Sequence, residues 1–443
     1  RKGEHLGALP AIKRLWPQRF AEEVGQALGD RAGARRFVVS THTMALAHQI
    51  DRWLEAGAPT SPELARLLDA HGDDRVALPR QIMRRHARRA DALDRARRLP
   101  GLLESATEQD EIDEGQAQAL RRAVQSALGS GADDRIETYY SLVLMDGDRM
   151  GAWLAGGDEY AITYRDSFHP QVRDALDKKT GGNRALKAYA EQKRAVSPNR
   201  HLAISGALND FSLQVVPHVV ETEFPGRLLY AGGDDVLAML PVADLLPAMQ
   251  RLRVAYAGHD PLHEKGDRSQ ALTLRDGFAL LQTRQGLRLL RMMGDKATAS
   301  CGAVVAHHQA PLGAVLRELR AAEQRAKNAG ERDAFSLTVV KRSGGALTLT
   351  AKWGEPAALL QDLRAFLRHE GVSRRAVYNS LDWMKDLPSN SPDMLASLLS
   401  YQLTRQSDSA ARDQHDVSCL ARRLAVLAFD DAAHPETRTG RRE

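Results

Sequence analysis

Apolar positions along the chain change rhythm several times, and the changes predict its elements. From Tyr139 to Met145 they run almost without interruption, which predicts a central strand buried on both faces. Two shorter apolar runs, Leu228 to Ala231 and Val236 to Leu240, flank Gly232-Gly233-Asp234-Asp235 and read as a tight β-hairpin. Cys301 to Ala306 and Phe335 to Val340 read as further strands, the second at a sheet edge. Between the strands the spacing becomes helical, with helices expected around Leu202 to Glu223, Val242 to Val254 and Pro311 to Asn328. The order is a β-α-β-β-α-β plan of the ferredoxin-like kind, an α+β fold.

Outside this stretch the pattern is mainly helical. Residues 51–135 carry Ala, Leu and Arg at helical spacing and read as a helical domain. Residues 356–443 read as a second, C-terminal helical domain, with a loop and helix start at Ser389 to Asp393 and a disordered tail from Ala433. Residues 1–50 predict a helix at Ala8 to Arg14 and a strand at Phe37 to Val39. The central domain, 136–355, contains two stretches rich in Gly and charge, 155–199 and 258–296, expected as mobile surface loops.

The candidate chemistry sits at the strand ends. Asp234 and Asp235 lie at the hairpin tip, where Gly232 and Gly233 let the backbone reverse and approach a ligand. Asp146 follows the long apolar run, so its carboxylate can emerge from the sheet edge. Gly147 permits close approach of a phosphate, Asp148 is expected beside it at the nucleotide, and a helix starting after Asp148 would offer amide donors to an anion. Taken together, Asp146, Asp234 and Asp235 form a carboxylate cluster suited to a hard divalent cation, Mg2+ or Mn2+. That is the arrangement of the palm shared by nucleotide cyclases and many polymerases. Alternation along a strand places Asp234 and Asp235 on different faces unless the turn twists them together, which leaves the main ligand open. His307-His308 ends a strand and reads as packing or hydrogen bonding; Ser205, Asn209 and Asp210 read equally as caps or nucleotide contacts.

Composition narrows the classes. The 62 Lys and Arg against 57 Asp and Glu give a net charge of +5, which permits nucleic-acid binding. The arginine-rich segment from Arg80 to Arg98, followed by an acidic stretch from Glu104 to Glu114, reads as a solvated helix face rather than an RNA track. Two cysteines, Cys301 and Cys419, exclude a disulfide framework and a CxxC zinc site within these residues. No apolar run approaches a membrane span and no signal peptide is visible, so a reducing cytoplasm is the default expectation.

With these motifs in hand, the chain resembles the large, palm-containing subunit of type III-B (Cmr-type) CRISPR effector complexes. The resemblance is carried by Leu144 to Gly151, Tyr230 to Leu237, Gly302 to Leu312 and Val339 to Gly344, with Glu4 to Arg14 and Val39 to His42 upstream. It implies two palms with helical domains between and after them, residues 1–50 being the C-terminal part of the first and 136–355 the catalytic one. It implies synthesis of cyclic oligoadenylates from ATP by metal-dependent adenylyl transfer, switched on by target RNA, in company with other Cmr-type subunits and a CRISPR guide RNA. Lys327 resembles the phosphate-binding lysine after the last helix of diguanylate cyclase domains. Many members begin with an HD nuclease domain; His259-Asp260 reads instead as a surface loop, and the start at Arg1 reads as a truncated subunit with an incomplete first palm. The rival readings are a stand-alone nucleotide cyclase and an inactive scaffold of the ribonucleoprotein.

Overall fold

A computed structural model describes residues 38–71, 75–105, 114–129, 135–180, 183–260, 271–373 and 391–429, together with positions 8, 12, 19, 23, 375 and 377–379. The chain divides into two compact units, Arg1–Glu137 and Thr138–Glu443.

The first unit is helical where it is described. Helix α1 (Thr41–Glu55) starts at Ser40, whose hydroxyl accepts from the Thr43 amide at 3.0 Å. Val38 and Val39 precede this cap in irregular chain, so the expected strand at Phe37 to Val39 does not extend through them. Phe37 and, but for two single positions, the expected helix at Ala8 to Arg14 lie outside the described residues. Four more helices follow: α2 (Pro62–His71), α3 (Arg80–Arg85), α4 (Ala90–Ser105) and α5 (Glu114–Leu128). Leu46, Ile50, Leu64, Ile82, Leu99 and Val124 are buried among them. The arginine-rich segment is tied into this unit. Arg85 pairs with Asp51 and Glu55, Arg98 with Asp94, and Arg97 donates to the Val76 carbonyl. These partners balance part of its charge, while residues 106–113 of the acidic stretch lie outside the described residues.

The second unit is built on a six-stranded sheet in the order β2-β3-β1-β7-β8-β9. The strands are β1 (Tyr139–Gly147), β2 (Arg227–Gly232), β3 (Asp235–Pro241), β7 (Ala299–His307), β8 (Ala334–Val340) and β9 (Ala346–Lys352). The central β1 pairs antiparallel with β3 on one side and β7 on the other. With β2 beside β3, these four strands make the expected ferredoxin-like sheet. β8 is then added parallel to β7, and β9 antiparallel to β8. Phe335 to Val340 is therefore an inner strand, not the edge; β9 covers it. The short, polar-interrupted run of β9, with Thr348, Thr350 and Lys352 between its apolar residues, disguised it in the sequence.

One face of the sheet buries the main core. Val143 and Met145 of β1, Val236 and Ala238 of β3 and Cys301 and Ala303 of β7 meet two helices there. Helix α9 (Pro198–Asp210) continues to Glu223 through two π turns, and Phe211, Val215 and Val219 form its apolar stripe. Pro217 lies between those turns and withdraws one donor from the helical ladder. Helix α10 (Leu245–Ala257) contributes Met249, Leu252 and Tyr256. Helix α11 (Leu312–Lys327) packs on β7, β8 and β1.

Both expected loops carry structure. Between β1 and α9 lie α6 (Met150–Ala155), α7 (Pro170–Thr180) and α8 (Arg184–Glu191), with Tyr164 stacked on Tyr189 at 4.8 Å. Between α10 and β7, β4 (Leu272–Arg275), β5 (Phe278–Thr283) and β6 (Gly286–Arg291) form a three-stranded sheet. Its alternation sends Leu272, Leu274, Ala279, Leu281 and Leu290 into the main core, which the surrounding glycines and charges masked in the sequence. Beyond the sheet, α12 (Glu355–Arg368), α13 (Pro392–Arg405), α14 (Ser409–Gln414) and α15 (Val417–Phe429) follow, with Phe366, Leu403, Leu420 and Ala421 in a second core. Ser391 caps α13, within the helix start expected at Ser389 to Asp393, while the tail from Ala433 lies outside the described residues.

Candidate nucleotide and cation site

The hairpin between β2 and β3 closes on two residues, because Gly232 still pairs with Asp235. Gly233 takes a φ of 64° and Asp234 does not share it, the pattern of a type II′ turn, which needs glycine at its first loop position. The acids of the doublet therefore differ: Asp234 belongs to the turn and Asp235 opens the strand.

Register then decides their surroundings. Met145 pairs with Val236, so one step further places Asp146 opposite Asp235. Residues opposite each other share a face, and for this pair it is the face covered by α11, whose Lys327 bonds the Asp146 carboxylate. Asp234 packs on Gly147 instead. A Cβ added at Gly147 would lie 2.8 Å from the Asp234 Cβ and 2.9 Å from its Oδ2, and would strike the Tyr256 hydroxyl. Gly147 is needed here for space. Burial and the neighbouring Asp146 and Asp235 charges push the Asp234 carboxyl above its ordinary value. Asp235 is raised by burial and by Asp146, with Lys327 opposing. Burial, reinforced by Asp234 and Asp146, pushes the Tyr256 phenol far above its usual range, so it stays protonated.

Asp148, expected at the nucleotide, has a different place. It is 2% exposed and accepts from Thr298 Oγ1 at 2.8 Å, Ser300 Oγ at 2.7 Å and the Asp333 amide at 2.9 Å. Those bonds fasten the turn after β1 to β7 and to the loop before β8, and leave the carboxylate no face for a ligand. α6 does begin just after it, at Met150, with Arg149 in the left-handed region ahead of it. Lys327, expected on an outer phosphate, bonds Asp146 and lies 2.5 Å from Glu323 Oε1, one turn back on α11. Its amine is raised by these two acids, against the opposing effect of burial.

Glu323 was not singled out in the sequence. It is 5% exposed, and the i, i+4 spacing to Lys327 is its only local signal. His307 stands at the other end of β1, paired across to Tyr139, about 24 Å of strand away from Asp146. His307 packs edge-on against Tyr139 and accepts from the Gln309 amide at 3.2 Å. Asp210 accepts from the Arg291 amide at 3.0 Å and so anchors β6; Ser205 and Asn209 are exposed.

Among the described residues, no three His, Cys, Asp or Glu side chains are arranged to hold a metal ion, so the expected three-acid cage is not formed in this arrangement. At Asp146 the Lys327 ammonium sits as a cation instead. In donor chemistry and charge the acids still suit a hard divalent cation: they offer carboxylate oxygens alone, and burial together with the neighbouring carboxylate charges raises two of them.

The sheet and its acid-bearing hairpin define a palm of the cyclase and polymerase type. Residues 139–336 match the family model described as Cas10/Cmr2, second palm domain. Over 247 residues the chain is 31% identical to the "CRISPR system Cmr subunit Cmr2" of Pyrococcus furiosus, covering 55% of this chain and 23% of that one. It is 32% identical over 128 residues to the "CRISPR system CMR subunit Cmr2" of Saccharolobus solfataricus, covering 29% of this chain and 11% of that one. Among solved structures, a chain of the type III-B Cmr-beta complex bound to cognate target RNA superposes with a TM-score of 0.58 at 16% identity, covering 85% of this chain and 44% of that one. The apo state of that complex gives a TM-score of 0.56 at 15% identity, with the same coverage. The chain thus spans under a quarter of the curated relatives and under half of the solved chains. The resemblance to the large palm subunit of type III-B effectors therefore holds in sequence, through the palm match over residues 139–336, and in fold. No helix among the described residues is long and apolar enough to cross a membrane.

Proposed function

We propose that this palm joins ATP into cyclic oligoadenylates as part of a type III-B RNA-guided effector, together with other Cmr-type subunits and guide RNA, and that target RNA switches it on. One observation carries the reading: Asp146 and Asp235 lie side by side at the ends of adjacent strands, with Asp234 on the glycine turn beside them. Asp146, Asp235 and Asp234 would hold Mg2+ or Mn2+. A bound ion of this kind neutralises a triphosphate and acidifies an acceptor hydroxyl. A Cβ at Gly233 would meet open space, which leaves the turn free for a phosphate to approach; at Gly147 and Gly232 that space is taken by Tyr256 and Asp234 and by Tyr230, and Lys327, already at the acids, is the cation this reading assigns to an outer phosphate. The acceptor 3′-oxygen forms a bond to the α-phosphorus of a donor ATP, the bond to pyrophosphate breaks, and the hydroxyl proton passes to solvent. Tyr256, held protonated, is not the base. Positioning and charge stabilisation supply the rate.

The scaffold reading draws on a different observation, the neutralisation of Asp146 by Lys327. ATP turnover in the assembled complex with target RNA, followed by mass spectrometry of the products, separates the two. Asp234→Ala/Asp235→Ala is expected to lower turnover by at least about a hundredfold, as loss of charge stabilisation does elsewhere. Turnover unchanged in that variant would count for the scaffold or place the chemistry elsewhere, and cyclic mononucleotide or dinucleotide products would favour a stand-alone cyclase.

A further inference from the structure

Glu323 is a buried carboxylate with no part in the reaction drawn above. Its place is fixed by the backbone: a Cβ on Gly302 of β7 would lie 2.7 Å from the Glu323 Cα and 2.8 Å from the Leu319 carbonyl oxygen, so glycine there lets α11 lie directly on the strand. Oε2 accepts from Gln324 Nε2 at 2.9 Å, and Oε1 faces the Lys327 ammonium at 2.5 Å. That ammonium also bonds Asp146. One cation is thus shared between an acid of the proposed metal site and an acid one helical turn away on its own helix.

We propose that Glu323 is a positioning residue: it holds Lys327 between two stations, so that the lysine acts as a built-in counter-cation for Asp146 and yields that place to a divalent ion. The inference rests on the proposed metal site. A half-buried carboxylate beside other acids is costly without a cation, so Lys327 stabilises Asp146 before any ion arrives. When the ion takes Asp146, the displaced ammonium needs an anion within reach, and Glu323 is that anion. Without the Glu323 charge, Lys327 keeps Asp146 as its ion-pair partner among the described residues and competes with the ion at full strength. Glu323 therefore favours metal binding through the lysine, without being a ligand.

The test is a double-mutant cycle on Mn2+ binding to the full chain without nucleotide, followed by electron paramagnetic resonance of the free ion. The variants are Glu323→Gln, Lys327→Met and the pair, with circular dichroism to check that each is folded. Glu323→Gln is expected to weaken Mn2+ binding about tenfold, the scale on which one neighbouring charge shifts a carboxylate equilibrium. Lys327→Met is expected to tighten it by a similar factor, and in that background Glu323→Gln should have almost no further effect. Arg325→Met, on the same helix but bonded to Ser336 and Thr338, should leave affinity within about twofold, the span expected of a screened, non-contacting charge. Equal weakening by Glu323→Gln in both backgrounds would overturn the proposal, because Glu323 would then act independently of Lys327. Mn2+ bound by none of the proteins, even with the lysine removed, would instead overturn the metal site itself, and the inference with it.

Discussion

At the scale of single residues, the acids of this site are held against their own electrostatic preference. Asp234 is raised by burial and by its acidic neighbours, so the folded state holds its proton more tightly than the unfolded chain does. Between the ordinary carboxylate value near 3.8 and the raised one, folding takes up a proton, and stability falls as pH rises through that window. Above the raised value the cost is present in full; below the ordinary value it is gone. Asp234→Asn is therefore expected to raise the melting temperature at pH 7 by a few degrees, about 2–4 °C for each kcal/mol in a unit of this size. The gain should shrink to nothing as pH falls below about 4. Thermal unfolding of both proteins across that range checks it; a gain that grows at low pH would contradict it. Divalent ions, which relieve the same repulsion, should narrow the difference.

At the scale of elements, glycines set how closely the layers approach. Gly302 lets α11 lie on β7, and that contact carries both Glu323 and Lys327 to the acid end of the sheet. Gly302→Ala would put a methyl group against the helix backbone, which cannot yield as a flexible side chain would. A loss of about 1–3 kcal/mol in urea unfolding is expected from this overpacking. If α11 also shifts, the bond from Lys327 to Asp146 weakens, and nucleotide-free Mn2+ binding should tighten alongside the stability loss. An unchanged unfolding midpoint would show that the helix does not depend on this contact.

At the scale of the whole molecule, the chain holds two compact units with separate sets of buried residues, 1–137 helical where described and 138–443 built on the sheet. Every residue of the candidate site belongs to the second. A polypeptide of residues 138–443 should accordingly fold alone, as domains with their own cores do. It should unfold in urea at a midpoint close to that of the matching transition in the full chain, and should keep the Mn2+ affinity of the full chain within about threefold (roughly 0.6 kcal/mol). Failure to fold would show that the two units depend on one core. The chain spans 44% of the solved Cmr-beta chains it superposes on, and the proposed synthesis is accordingly tested in the assembled complex.

The local sequence determined a good deal. An apolar run that ends in Asp146, and a glycine pair between two strand-forming runs, fixed the central strand, the hairpin and the placing of acids at strand ends, because alternation and positive φ are local properties. Short range hid the rest. The three-stranded sheet of residues 272–291 and the edge strand at 346–352 are too short and too polar to announce themselves, and they become strands by pairing and by sharing a core. Asp148 looked like a ligand beside Asp146, and only its contacts with Thr298, Ser300 and Asp333, far along the chain, make it a structural tie. Likewise, which acid of the doublet stands beside Asp146, and that Lys327 and Glu323 come to meet them, depend on strand register and on a helix laid over the sheet. Backbone conformation is decided by neighbours in sequence, but the charge around a carboxylate is decided by neighbours in space.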